Sequence, residues 1–363
     1  MTDTKKKILI ISNTYYQLIM AVQLKLTVFH KEDVDIWLSD ESVGAEAVCG
    51  RLKGMGLFSE VCFKERKRIH STGGSGKRSD IIKYVAGYNF GKPVSETEKF
   101  YDEILFYNLD LPLYGIADYY AQQGHACRWS QYDEGILSYE RDFVVGSKIG
   151  RLGLTQKIRS VTGRPEITRL VDKYYCMFPE MKKLHKGEWE FVKIPPVSRT
   201  GKELRGILNQ VFDYKAAEFS QKYIFFASSH DIDGHPIGET ELILKIADQV
   251  GVDNLLVKQH PRDARTVYQE SGIRVMKNSF VPWEIMHMNL EDSEKVLLTT
   301  TSSAFLGSSA MLGSSMKAYF LSDCLSCQSE YIEKERQGIR KMVGSLHKNG
   351  LCGSVQIYGQ KCV

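Results

Sequence analysis

The 363 residues contain no apolar run approaching the roughly 18 needed to cross a bilayer. A secretory leader is not expected either: Lys5-Lys6-Lys7 precedes only Ile8-Leu9-Ile10-Ile11 before polar Ser12-Asn13-Thr14. A cytoplasmic protein is expected. Charge of one sign is scarce, with 48 basic and 44 acidic residues and a net charge of +4. No long basic stripe alternates with aromatics, so nucleic acid is not an expected partner. The eight cysteines (49, 62, 127, 176, 324, 327, 352, 362) are scattered. Cys324-x-x-Cys327 has no second CxxC or His pair at zinc-site spacing, and Cys352 and Cys362 complete no recognised set. Buried reduced thiols are expected rather than disulfides or a metal centre. No repeat of about 20 to 50 residues is visible.

What remains is an ordinary globular composition, 43% hydrophobic and 25% charged. The length favours two domains. Residues 8–11 are apolar and β-branched, 12–14 supply turn and N-cap chemistry, and 16–26 have helical spacing. Strands are expected at 34–38, 60–63 and 103–107. Pro195-Pro196 reads as a linker. A second series follows: strand 222–227, helix 240–250, strands 255–257 and 272–276, helix 283–288, and strands 295–299 and 318–321. A charged helix over 331–348 ends the chain. Strands alternating with helices predict doubly wound α/β domains. Residues 64–78 are basic and glycine-rich, with Lys64, Arg66, Lys67, Arg68, Lys77 and Arg78 against Glu65. The stretch 71–78 is similar to a P-loop, but Ser71 stands where a glycine is needed and Arg78 where Ser or Thr would hold Mg²⁺. It is expected to be a surface loop.

Four polar patterns carry chemistry. Asp133-Glu134-Gly135, with Tyr139 beyond, puts two acids before a residue that allows a sharp turn, leaving one carboxylate available as a general base. Lys258-Gln259-His260-Pro261-Arg262 ends an apolar run, so its polar residues fall at a strand's carboxyl end, where open α/β sheets bind ligands. A histidine beside two cations suits an anionic leaving group. Thr299-Thr300-Thr301-Ser302-Ser303 opens a helix and has more hydroxyls than capping requires, which suits an anion held without metal. Glu284, after Pro282-Trp283, could chelate two ribose hydroxyls. Taken singly, solvated turns and capped helices account for each.

In this order, Asp133-Glu134-Gly135, His260-Pro261 and Ser302-Ser303 resemble the D/E-D/E-G, HP and paired S/T signatures of the bacterial sialyltransferases with a GT-B fold. Thr14-Tyr15-Tyr16-Gln17-Leu18 is similar to the TPYQ-type start of the lipooligosaccharide sialyltransferases (family 52), with Tyr15 in place of proline. Gly135-x-x-Ser138-Tyr139 is similar to the capsule polysialyltransferases. The resemblance covers roughly residues 8–321.

It implies an α/β, GT-B protein whose two doubly wound Rossmann-like domains face a central cleft: residues 1–210 on the acceptor side and 211–325 binding the nucleotide sugar. A helical tail, 326–363, would cross back. It further implies inverting, metal-independent transfer from CMP-sialic acid to a glycan hydroxyl, with no cofactor. Asp133 would take the acceptor proton, and His260 would assist departure of the CMP phosphate. Ser302 and Ser303, with Pro261 and Lys258 nearby, would hold that phosphate, and Glu284 the ribose. A capsule or lipooligosaccharide acceptor would place the enzyme peripherally at the inner face of the cytoplasmic membrane, through the basic stretch 64–78.

Asp231-Ile232-Asp233 also reads as a metal-binding DxD, with His235-Pro236 a second HP that follows a turn. Asp231 and Asp233 are thus rivals to Asp133 and Glu134 as the base. Two other functions stay open: transfer of another nucleotide-activated acidic sugar, and a nucleotide-sugar-binding protein without turnover.

Overall fold

The computed structural model describes residues 5–66, 86–87, 89–90, 95–109, 111–139, 151–181, 189–197, 201–215, 220–276, 280–290, 294–327 and 329–359. The chain forms two compact units, Met1–Pro195 and Pro196–Val363. The division thus falls at the Pro195-Pro196 pair rather than at residue 210, and the segment from 326 onward belongs to the second unit. Among the described residues no helix is long and apolar enough to cross a membrane.

The first unit is built on seven parallel strands: β1 (Lys7–Ser12), β2 (Asp33–Ser39), β3 (Glu60–Lys64), β4 (Glu103–Phe106), β5 (Arg128–Tyr132), β6 (Val171–Cys176) and β7 (Glu190–Lys193). Their order is β3-β2-β1-β4-β5-β6-β7. The apolar runs of β1 and β4 (residues 8–11 and 104–106) are continuous because helices cover both faces of such a sheet. Leu9, Ile11, Ile104 and Phe106 join Leu113, Tyr114, Ile116 and Ala117 of the helix Leu111–Gln122 in one core cluster. The order reverses between β1 and β4, which makes the carboxyl ends of these strands the topological switch point.

Of the basic stretch 64–78, the described residues are 64–66. Lys64 lies 4.1 Å over the Trp37 ring and pairs with Glu96 at 3.3 Å. Arg66 is 1% exposed, pairs with Glu96 at 3.4 Å, and donates its backbone N–H to Asp40. Arg66 is therefore committed to the fold and is not a surface cation. Lys67, Arg68, Lys77, Arg78 and the P-loop-like stretch lie outside the described residues.

The second unit has six parallel strands: β8 (Tyr223–Phe226), β9 (Leu255–Lys258), β10 (Arg274–Val275), β11 (Val296–Thr299), β12 (Lys317–Phe320) and β13 (Val355–Ile357). Their order is β10-β9-β8-β11-β12-β13, with the switch point between β8 and β11. The segment expected as a helical tail crossing back instead completes this sheet. Its helix, Glu330–Lys348, is N-capped by Ser329 and leads into β13, which pairs with β12.

A buried ion cluster steadies the first unit. Asp118 receives the guanidinium of fully buried Arg159 and, at 3.1 Å, that of Arg164. Removing one partner of such a group leaves an uncompensated buried charge, at a cost of about 3–5 kcal/mol. Asp118→Ala should lower the first unit's urea stability by that amount, read by far-UV circular dichroism. A loss under about 1 kcal/mol would mean that the cluster behaves as an exposed pair.

Candidate functional site

In the first unit, polar groups gather at the carboxyl ends of β1 and β5. Tyr132, the last residue of β5, is fully buried and donates its phenol to the Ile11 carbonyl at 2.8 Å. Ser12 Oγ lies 3.0 Å from the Tyr132 hydroxyl oxygen and is left to donate to it. This fixes Asp133-Glu134-Gly135 beside Thr14. Gly135 has φ +95, a conformation that favours glycine, and its N–H turns back onto Asp133 Oδ1 at 2.9 Å.

The two acids divide as the turn dictates, in the opposite sense to the expectation. Asp133 is 0% exposed. Its Oδ2 accepts from Tyr139 OH and from the Met177 N–H at 3.2 Å. Tyr139 OH also accepts from the Met177 N–H at 3.0 Å, and burial together with Asp133 pushes this phenol far above its usual pKa. Ser138 caps the turn through the Gly135 carbonyl at 2.7 Å. Gly135-x-x-Ser138-Tyr139 is thus a lock on Asp133, whose carboxylate points into the unit. Glu134 is the half-buried acid and accepts from Thr14 Oγ1 at 3.1 Å. Burial pushes its carboxyl up to about 8, partly opposed by hydrogen bonds from Gln17 and Thr14. The helix Tyr15–Leu26 presents Gln17, whose Oε1 takes the Asn13 N–H at 2.6 Å.

In the second unit the loops after β8, β9 and β11 carry the expected groups. Ser302 and Ser303 open the helix Ala304–Leu312. Ser302 is held by its N–H on Thr299 Oγ1 at 3.0 Å, and its Oγ accepts from the Ala304 N–H at 3.4 Å; the Ser303 side chain makes no capping bond. The first N–H groups of a nine-residue helix beside two hydroxyls can receive an anion. His260 follows β9 in a turn closed by Asp263 N–H on its carbonyl at 2.8 Å. Its Nδ1 accepts the Arg262 N–H at 3.3 Å, so in the neutral ring Nε2 carries the proton. Burial, then Arg262, pushes its pKa below the usual value, which favours that neutral form.

Lys258 and Glu284 are each 9% exposed. Burial holds the ammonium down at about 8 and the carboxyl up at about 7, and each charge partly offsets the other's desolvation. The short helix Trp283–Asn289 that carries Glu284 is pinned to the helix Ala304–Leu312 by buried His287, whose Nδ1 meets Ser308 Oγ at 2.9 Å. Asp233 and Asp231 are occupied otherwise. Asp233 takes Arg262 at 2.9 and 3.1 Å; Asp231 takes the Ile237 N–H, Thr240 and Arg265. His235 stacks on Tyr331 at 4.8 Å. Among the described residues no three His, Cys, Asp or Glu side chains gather as a metal site requires.

Two residues that the sequence reading did not single out, Glu239 and His230, hold this half together. Glu239 accepts Ser228 N–H and Oγ at 2.7 and 2.9 Å and also bonds Thr300 Oγ1, tying the loop after β8 to the loop after β11. His230 lies between Thr301 Oγ1 at 2.9 Å and Tyr331 OH at 2.7 Å. The only sequence signals were Ser228-Ser229-His230 directly after an apolar run and an acid opening a helix, which by itself reads as a complement to the helix dipole.

Two doubly wound, Rossmann-like α/β domains in one chain are the architecture of the GT-B fold. No family model matches the chain, and no curated protein does. Among solved structures it is similar to the glycotransferase of kitacinnamycin (12% identity, TM-score 0.52, covering 99% of this chain and 87% of that one). It is likewise similar to a putative UDP-N-acetylglucosamine 2-epimerase from Listeria monocytogenes (10% identity, TM-score 0.53, 98% and 85%). At such identities the likeness establishes the GT-B fold, in agreement with the expected fold class.

Burial raises the Glu239 carboxyl from 4.5 to about 7. A raised carboxyl favours folding fully below its unfolded pKa, and that contribution is lost as pH climbs through the folded one. Glu239→Gln should therefore gain urea stability relative to wild type as pH rises from 4.5 to 7 and hold it above. A difference that does not vary with pH would mean an ordinary, ionised carboxylate.

Proposed function

We propose that this chain is an inverting, metal-independent glycosyltransferase that moves sialic acid from CMP-sialic acid to a hydroxyl of a bacterial surface glycan. The observation that carries this reading is positional. Asp133-Glu134-Gly135, His260-Pro261 and Ser302-Ser303 each follow the carboxyl end of a parallel strand, respectively β5, β9 and β11. That is the end at which such sheets bind nucleotides and sugars.

The base is assigned to Glu134 and not to Asp133. Asp133 has spent its oxygens on Tyr139, Met177 and Gly135, whereas Glu134 has a pKa near the pH at which proton transfer is useful. The acceptor O–H bond breaks toward the Glu134 carboxylate as the oxygen attacks the anomeric carbon. The bond from that carbon to the phosphate oxygen breaks with its electrons, and CMP leaves. One displacement inverts the centre. Neutral His260 donates Nε2–H to the departing phosphate; Ser302, Ser303 and the helix start hold it, with Pro261 setting the turn. Glu284, beside Lys258, takes the ribose hydroxyls. A UDP-sugar reading is kept because one similar structure is described as acting on UDP-N-acetylglucosamine. Protection of the fold by CMP but not UDP, in thermal unfolding, separates the two.

Glu134→Gln should slow transfer of sialic acid to the acceptor by about 10²- to 10⁴-fold, as is typical of general bases, with donor affinity retained and EDTA present throughout. In the wild type, kcat/KM should rise with pH toward about 8, the range in which Glu134 ionises. Asp133→Asn should act mainly on stability. If it is instead the dead but fully folded variant, or if EDTA stops turnover, the base or the metal assignment fails.

Loss of a positioned phosphate partner costs about 10²- to 10³-fold in kcat. His260→Ala should fall in that range while His235→Ala, stacked on Tyr331, stays near wild type. Equal losses would remove the distinction between the two histidines.

A further inference from the structure

The second sheet leaves part of one face open. Parallel sheets are normally covered on both faces, since their strands are apolar throughout. Here Tyr223 of β8, Val296 and Leu298 of β11, and Tyr319 and Leu321 along β12 take alternating positions, which places them on one face. They line a cavity of about 800 Å³ together with Leu242 and Ile246 of the helix Glu239–Val250. Tyr358, just past β13, packs edge-on against Tyr319 at 5.4 Å. Tyr223, Ile246, Val296, Tyr319 and Tyr358 are only half-buried.

The charge around this apolar floor is one-sided. Lys222, Lys295 and Lys317 stand at the amino ends of β8, β11 and β12, and Lys245 stands on the helix, against Glu294 alone among the lining residues. Lys295 donates to the Gln221 carbonyl at 3.0 Å, and burial pushes its ammonium below the usual range. An anion there would relieve that desolvation. These lysines lie at the opposite strand ends from Ser228, His260 and Ser302, about 13 Å away along the sheet for a four-residue strand.

We propose that this cavity seats the hydrocarbon chain of an acidic lipid, with the lipid's phosphate among Lys222, Lys245, Lys295 and Lys317. The volume lies within the roughly 300–1,000 Å³ of small-molecule pockets. It is small for a protein partner, which would need about 800 Å² of surface from each side. The aliphatic and tyrosine floor distinguishes the site from one for free phosphate, and the lysines distinguish it from one for a neutral chain. The assignment does not depend on the transferase reading.

Calorimetry on the full chain tests it, with dodecyl phosphate as probe and dodecyl maltoside and inorganic phosphate as controls. Dodecyl phosphate should bind at least about tenfold more tightly than either control, as expected when apolar burial and charge pairing add. The exposed pair Lys222→Glu/Lys317→Glu should weaken it by about thirtyfold or more, since each lysine near an anionic lipid contributes roughly a factor of five. Ile246→Trp, which fills the groove from the half-exposed helix face, should weaken it too. Far-UV circular dichroism and urea stability should be unchanged in both variants, which shows them folded. Dodecyl maltoside binding as tightly as dodecyl phosphate, inorganic phosphate binding as tightly, or unaltered affinity in either variant would each overturn the proposal.

Discussion

The carboxyl of Glu239 is the constraint on which the second unit of this protein depends. In a doubly wound sheet the loops on either side of the switch point leave in opposite directions and share no backbone ladder. Something else must hold them together. Glu239 does so by taking both donors of Ser228 after β8 and bonding Thr300 after β11. A carboxyl in so dry a place holds its proton up to about pH 7, and its hydrogen bonds offset the cost of burial. His230 repeats the link one residue further along, from the loop after β8 to Thr301. The hydroxyl run at residues 299–303 is thus divided in its work. Thr299, Thr300 and Thr301 are bonded to the fold, which leaves Ser302 and Ser303 at the helix start.

The first unit solves a similar problem with a different pair. Two adjacent carboxylates at a strand end repel and compete for the same turn. Positive φ at Gly135 lets the chain fold back so that Asp133 is consumed internally by Tyr139 and Met177. Its neighbour then stands half-buried beside Thr14, close enough to the Asp133 charge for that charge to add to the effect of burial. A carboxyl poised near neutrality needs such a setting: dry enough to hold its proton, yet accessible enough to exchange it.

Elevated carboxyls recur in both units, at Glu134, Glu239 and Glu284, and Lys258 is depressed by burial. Perturbed groups concentrate where function demands them. Here Glu239 ties two loops together, Glu284 is influenced by the charge of Lys258, and Glu134 stands half-buried at the turn after β5.

Much of the architecture was legible in the chain itself. Largely apolar runs such as residues 8–11, 34–38 and 295–299, followed by turn chemistry and a helical period, pointed to the parallel α/β class and to strands before His260 and Ser302, though not to β5 before Asp133. Local sequence carries that information because strand burial and helix amphipathicity are periodic. The short strands β6, β7 and β13 left no such trace: Val171–Cys176 and Glu190–Lys193 mix charge with aromatics, and the tail strand is three residues long. Their pairing is supplied by neighbours distant in sequence. The same is true of the site. Which of Asp133 and Glu134 turns inward, that Asp233 is held by Arg262, and that Glu239 and His230 bridge two loops are matters of contact across dozens of residues. Only the tertiary structure decides them, because burial and hydrogen-bond partners, not residue type, set what a carboxyl or an imidazole can do.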